Sequence, residues 1–383
     1  MDTIDHASLL LSRIDSSAII EISISDNQNL WNLGLKRMSN VFKGPDALKD
    51  FLNPGKHPNL PMVELPASLN PFAKEGVRIF AKLMGLSPLG NVKAVPAFNM
   101  IREMFLRGDL NGVERLVENS SGNTVFSMAL AARQFGVERT QSYVPSEISW
   151  NKLLMLQFFG IEPIVNKEPQ NPIENDPATG VFKARRDGQE PDAVNPGQYE
   201  NPDNPSAHEK WTGPQIWEQT EGKIDIFCAG LGTTGTLIGN ARFLKEKNPA
   251  VRIVGAIRAP DNYVPGVRTE DLLKVVDFDW RSHVDYMEFV ETKTSYLSSM
   301  ELSRKGILAG PSSGLALVGL INHLTDLKKN NQLDAVRRSP DDEITCVFPC
   351  PDGPVPYLDE YFKYLDASHF PTIENEDMLV NKP

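Results

Sequence analysis

Three glycines and three threonines crowd one turn of the chain, Gly230-Leu231-Gly232-Thr233-Thr234-Gly235-Thr236. Glycine lets a backbone approach an anion closely and turn successive N–H groups toward it, and a helix starting there adds partial positive charge. The hydroxyls at 233, 234 and 236 are further donors of the kind a phosphate dianion takes. Two other readings fit the same turn. It is a tight strand-to-helix connection with threonine as the cap, and Gly230-x-Gly232-x-x-Gly235 satisfies the dinucleotide fingerprint. A nicotinamide site asks for an acid about 20 residues further on. Arg258 stands near that place, and on that reading it serves a 2′-phosphate.

Two more turns have the same small, polar character. Ser120-Ser121-Gly122-Asn123-Thr124 precedes a helix pattern, and a helix start favours a carboxylate by about 0.3–1 kcal/mol. A plain capping turn explains it equally. Gly310-Pro311-Ser312-Ser313-Gly314 opens a third helix, where Ser312 and Ser313 are caps or ligands. Upstream of all three, Lys93 sits between the loop Ser87-Pro88-Leu89-Gly90-Asn91-Val92 and a helix pattern. A lone lysine is ordinarily a solvated head group, so a Schiff-base role needs partners.

Each turn needs a strand before it and a helix after it, and apolar periodicity predicts both. Residues 224–229 and 251–256 read as buried strands flanking a helix over 237–247, which makes a βαβ unit. Strands at 62–65 and 77–83 precede the lysine, and a helix at 96–106 follows it. Strands at 112–118, 140–144 and 161–166 alternate with helices at 125–135 and 145–160, predicting a small parallel sheet. Residues 167–207, rich in proline, asparagine and aspartate, read as a long connecting loop with one short helix at 182–186. A helix is predicted at 212–219, others at 291–305 and 315–324, and a final core strand at 344–348. A short strand is predicted at 19–24, but residues 1–56 carry no recognisable chemistry.

A chain of 383 residues is long enough for two domains. Its net charge of −11, without a long basic run, argues against nucleic acid or an anionic membrane as partner. Three cysteines make no disulfide framework, and Cys346-x-x-x-Cys350 has no histidine nearby to complete a metal site. No apolar stretch approaches the ~20 residues of a membrane span. The first residues suit neither a secretory signal nor a transit peptide, so a cytoplasmic location is expected.

The order of the motifs is more specific than any one of them. Asn91-Val92-Lys93, Ser120-Ser121-Gly122-Asn123-Thr124, Gln198-Tyr199-x-Asn201-Pro202-x-Asn204-Pro205, Gly232-Thr233-Thr234-Gly235-Thr236 and Gly310-Pro311-Ser312-Ser313-Gly314 together resemble the cysteine synthase / cystathionine β-synthase family. These are pyridoxal-phosphate (PLP) enzymes of fold type II, similar to tryptophan synthase β, and the resemblance spans about residues 60–365. It implies two three-layer α/β domains with mostly parallel sheets and PLP in the cleft between them. The implied division is an extension at 1–56, strands and the lysine loop at 57–94, a small domain at 95–170, a connecting loop at 171–204, a large PLP-binding domain at 205–370 and a polar tail at 371–383.

The resemblance also implies roles. Lys93 forms the Schiff base and moves the α-proton, while Gly232, Thr233, Thr234, Gly235 and Thr236 cup the cofactor phosphate. Asn123 meets the phenolic oxygen and Ser312 the ring nitrogen. Ser120, Ser121, Thr124 and Gln198 take the substrate carboxylate, and Gly266 lines the substrate amine. The implied reaction is β-replacement on O-acetylserine or O-phosphoserine through an aminoacrylate, with sulfide, a thiol or an amine as the small nucleophile. No metal, nucleic acid or membrane enters it, and a homodimer is implied. The chain departs from the family where Asn91 replaces a serine, where Thr234 replaces a glycine and where Ser120 replaces a threonine; the usual basic residue after the lysine is also missing from 94–97. A catalytically weak PLP-binding scaffold and an NADP-dependent oxidoreductase are the alternatives.

Overall fold

The computed structural model describes residues 40–167 and 176–380. The strand predicted at 19–24 and part of the connecting loop lie outside the described residues. In chain order the strands are β1 (Met62–Glu64), β2 (Val77–Leu83), β3 (Arg115–Asn119), β4 (Arg139–Pro145), β5 (Ile161–Asn166), β6 (Ala193–Val194), β7 (Ile226–Gly230), β8 (Arg252–Arg258), β9 (Tyr286–Val290) and β10 (Ile344–Cys350). The α-helices are α1 (Ala47–Leu52), α2 (Ala94–Arg107), α3 (Asn123–Arg133), α4 (Trp150–Phe158), α5 (Gly180–Asp187), α6 (Asp203–Ala207), α7 (Gly213–Gln219), α8 (Gly235–Lys247), α9 (Thr292–Arg304), α10 (Pro311–Lys329) and α11 (Leu358–Tyr364).

Two sheets result. The larger has the order β1-β2-β10-β7-β8-β9, and the smaller β5-β4-β3-β6. Every pairing is parallel except β1 with β2. β7 shows why the large sheet is covered on both faces. Ile226 and Cys228 pack into one apolar cluster with Leu317 and Leu320 of α10, while Phe227 and Ala229 pack into another with Leu237 and Ile238 of α8. A strand with apolar side chains on both faces stays buried only between two helical layers. β10 is buried at all its positions for the same reason. In the small sheet, Leu116 packs with Met100 and Ile101 of α2 and Met128 of α3, and Val144 packs with Leu156 of α4.

The elements follow the predicted pattern with three informative differences. Ala193 and Val194, predicted within the connecting loop, pair with Arg115 and Leu116 as the fourth strand of the small sheet. Pro145, predicted to start a helix, stays in β4 opposite Asn166, and the helix begins at Trp150. α10 begins at Pro311 rather than Leu315, because proline's missing N–H and fixed φ suit the first helical position. Cys228, Cys346 and Cys350 are buried and free, and burial pushes all three thiols up, so they act as small hydrophobes.

Candidate active site

A cavity of about 610 Å³ is lined by elements of both sheets. Ser120, Ser121, Gly122, Asn123, Thr124 and Gln198 face it from the small-sheet side; Gly232, Thr233, Thr234, Thr236, Gly266 and Ser312 face it from the large-sheet side. Lys93 lies at its wall. All the predicted site residues therefore meet in one cavity except Gly235, which does not line it.

Lys93 is the residue immediately before α2. Its backbone N–H donates to Asn91 Oδ1 at 2.9 Å, and the same oxygen accepts from Ser127 Oγ of α3 at 3.1 Å. The asparagine that stands where the family has serine thus ties the lysine loop to α3. Burial lowers the pKa of the Lys93 amine, and the nearby Asp352 carboxylate opposes that shift.

The glycine/threonine turn forms a cup at the start of α8. A Cβ at Gly232 would lie 2.2 Å from Gly266 O, and one at Gly235 would lie 2.1 Å from Asn204 Oδ1, so both positions demand glycine. Asn204 Nδ2 donates to Thr233 Oγ1 at 3.1 Å and to Gln198 O at 2.7 Å. Thr236 Oγ1 lies 3.1 Å from His208 Nε2, and His208 Nδ1 lies 2.9 Å from Thr212 Oγ1. His208 opens a π-helical turn, His208–Thr212, a geometry that often marks a functional segment. Burial, aided by the Lys93 charge, pushes its pKa down to about 3, so it is neutral at ordinary pH. Thr234 adopts φ +69°, the left-handed region that disfavours a β-branched residue. Its Oγ1 is buried and, among the described residues, has no hydrogen-bond partner.

The turn before α3 is held differently. Ser120 Oγ accepts long bonds from the N–H groups of Gly122 and Val125, both at 3.4 Å. Gln198 Nε2 donates to Asn119 O at 3.0 Å. Asn123 Nδ2 donates to Asp352 Oδ2 at 2.6 Å, an oxygen that also accepts from Tyr357 Oη at 2.6 Å. Asp352 Oδ1 is buried without a partner, and a Cβ at Gly310 would lie 2.2 Å from it. Burial raises the Asp352 pKa while Tyr357, Asn123 and Lys93 draw it down. Ser312 and Ser313 both lie in the first turn of α10, whose N-cap is Gly310, so neither is a cap.

Sequence reasoning missed Asp352, Tyr357 and His208 as site groups. Asp352 was visible only as part of the loop leaving β10, because its partner Asn123 is 229 residues away. His208 lies between the predicted connecting loop and the helix predicted at 212–219, and its closeness to the Asn204-Pro205 motif was the available signal.

A lysine at a helix start, a glycine/threonine cup on a second helix and a serine on a third, facing one cavity between parallel sheets, define the class of fold type II pyridoxal-phosphate enzymes. A model of the family described as pyridoxal-phosphate dependent enzyme matches residues 56–336, and the chain belongs to that family. Its relatives include cysteine synthase B of Pseudomonas aeruginosa, 35% identical over 65% of this chain and 82% of that protein. Cysteine synthase of Aquifex aeolicus is 32% identical over 78% of this chain and 88% of that protein. Among solved structures, the O-acetylserine dependent cystathionine β-synthase of Helicobacter pylori superposes with a TM-score of 0.66 at 25% identity, covering 82% of this chain and 96% of that one. The cofactor is pyridoxal 5′-phosphate, and the site suits it: Thr234 Oγ1, buried and unpartnered among the described residues, belongs to a cavity-lining turn whose backbone packs against Gly266 O and Asn204 too closely for side chains at 232 and 235.

Proposed function

We propose that the protein catalyses β-replacement on an activated L-serine, O-acetylserine or O-phosphoserine, with sulfide, a thiol or an amine as the incoming nucleophile. The observation that carries this reading is the convergence of Lys93 and two helix-start anion turns on one cavity. A substrate with one carboxylate and a cofactor with one phosphate use both turns. The names of the relatives support the same chemistry.

In this reading Gly232, Thr233, Thr234, Gly235 and Thr236 hold the phosphate, with Asn204 and His208 bracing the cup from behind. Ser120, Ser121, Thr124 and Gln198 take the substrate carboxylate, and Gly266 lines the space of its amine. Asn123 serves the phenolic oxygen while Asp352 fixes its amide, and Ser312 faces the ring nitrogen. Pyridoxal phosphate, when bound, supplies the electron sink for the Cα–H bond. Lys93 Nζ anchors it and carries the Cα proton, a task suited to an amine whose pKa burial has lowered. A neutral serine at the ring nitrogen does not hold a proton there as a carboxylate does, which favours loss of the β-substituent over transamination. A small lobe at 95–170, its sheet extended to Val194, and a large lobe at 205–370 frame the site. A cytoplasmic homodimer completes the proposal. Among the described residues no helix is long and apolar enough to cross a membrane.

The visible absorbance of the purified protein tests it. A resting band that shifts to longer wavelength with O-acetylserine or O-phosphoserine, decays on adding a nucleophile and is absent in Lys93→Ala is the expected result. A Lys93-dependent band indifferent to both esters removes the substrate class. No band after pyridoxal phosphate is supplied overturns the reading.

A further inference from the structure

We infer that the site takes a substrate bearing a second anionic group, besides its α-carboxylate, and that Arg258 and Arg268 receive it. The inference rests on the β-replacement reading and adds the charge carried at the substrate's reacting end.

Both arginines line the cavity, and their backbones are paired, Arg258 N–H donating to Arg268 O at 3.3 Å. Among the described residues neither forms an ion pair, in contrast to three other partly buried arginines of the chain. Arg185 pairs with Glu200 and Asp277, Arg115 with Glu190 and Asp192, and Arg338 with Asp225. Arg258 Nε is buried without a hydrogen-bond partner, and the guanidinium lies 5.7 Å from the Tyr263 ring centre. Arg268 donates only to neutral oxygens, Leu272 O at 3.2 Å and Tyr199 Oη at 2.8 Å. Lys152, a third cation at the wall, is already paired with Glu360 at 2.6 Å. Two guanidinium groups on backbone-paired residues, partly removed from water and with no carboxylate partner among the described residues, lose free energy that an anion in the cavity restores. Burial and the neighbouring Arg268 charge both push the Arg258 pKa down, as an unpaired pair requires.

The pair belongs to the end of β8 and the loop carrying Gly266, on the large-sheet side, whereas the carboxylate turn belongs to the small-sheet side. The arginine fork suits a phosphate or carboxylate bidentately. Two sources share this chemistry: a phosphate ester as leaving group, or the carboxylate of an incoming amino-acid nucleophile. With a phosphate ester the Cβ–O bond breaks and its electron pair leaves on inorganic phosphate. The nucleophile's own pair then makes the new bond to Cβ, and no oxidant or reductant is required.

Three probes of one skeleton test this on the cofactor-loaded protein by titration calorimetry: L-2-amino-4-phosphonobutanoate, L-glutamate and L-norvaline. The wild type is expected to bind at least one anionic probe about 10- to 100-fold more tightly than norvaline, and Arg258→Gln to bring that ratio near unity. Arg258→Lys, which keeps charge but loses the fork, should fall between them. Tightest binding of the phosphonate, with a raised KM for O-phosphoserine in Arg258→Gln, assigns the leaving group. Tightest binding of glutamate, with a raised KM for glutamate as nucleophile, assigns the incoming amine. Equal binding of all three probes by the wild type overturns the inference, whether or not the variants fold. So does a loss of cofactor affinity in Arg258→Gln matching its loss of anion affinity, which would give the arginines to the cofactor phosphate. Failure of the β-replacement reading is seen separately, as a missing visible band in the wild type.

Discussion

The cup before α8 and the turn before α3 share a residue vocabulary but not a support. Behind the cup, Asn204 fills the space left by Gly235 and bonds Thr233, while His208 bridges Thr212 and Thr236. All of these come from residues 204–236, a contiguous stretch that also supplies β7. The turn before α3 has two long serine bonds of its own, a bond from Ser142 Oγ of β4 to Ser120 O at 2.5 Å, and a tie from Asn123 to Asp352 that reaches the loop after β10. The cup proposed for the phosphate is thus braced mainly from its own segment, with Gly266 against Gly232, whereas the turn proposed for the carboxylate is tied both within the small sheet and across to the loop after β10. Such a difference suits a site that keeps its cofactor and exchanges its substrate.

Titration divides the two ends as well. Glu118 of β3, beneath the α3 turn, is buried, and burial pushes its pKa up to about 7 from a reference of 4.5, with Glu200 adding to the rise and the Asn119 and Gln198 N–H groups opposing it. A raised carboxyl pKa gives stability that is complete below the unfolded value and lost as pH rises toward about 7. His208 has the opposite sense: its pKa is depressed to about 3 from 6.5, so its contribution is present above 6.5 and lost as pH falls.

The comparison is broken or sharpened by five variants. Gly235→Ala should abolish cofactor retention on dialysis and cost about 3 kcal/mol in denaturant unfolding, since its Cβ meets a braced side chain. Gly122→Ala, whose Cβ meets nothing within 4 Å, should cost less than about 1 kcal/mol; equal costs would erase the contrast. Between pH 4.5 and 7 the unfolding free energy of the wild type should fall by on the order of 3 kcal/mol relative to that of Glu118→Gln, since the opposite contribution of His208 is common to both. An unchanged slope would mean that Glu118 is ionised in the fold. Asn123→Ala should cost about 1–2 kcal/mol by removing one partner of the Asp352 carboxylate, and hydrogen exchange should rise at 120–124 but not at 232–236. Thr234→Gly is expected to stabilise the unliganded protein by about 1 kcal/mol through relief of a positive φ while weakening phosphate binding. Loss of stability in that variant would show that the threonine is unstrained.

Much of this molecule was legible in order along the chain. β2, β5, the βαβ unit around 224–256 and the helices after Lys93 and Ser120 follow from apolar period and turn chemistry, which act within a few residues. β6 was not legible, because two residues carry no period and pair only where β3 happens to lie. The departures at Asn91 and Thr234 were visible as unusual residues, but their consequences, a bond to the Lys93 N–H and a left-handed backbone, were not.

The sequence by itself determined most of the strands and helices, the three polar helix starts with their lysine, and membership of a pyridoxal-phosphate family, since each is written in short-range pattern and order. Only the tertiary structure decided that Asp352 meets Asn123, that His208 meets Thr236 and that Arg258 pairs its backbone with Arg268 while neither has a carboxylate partner among the described residues. Those contacts join side chains from separate elements, and nothing local in a chain specifies which distant group will fill the space that packing leaves.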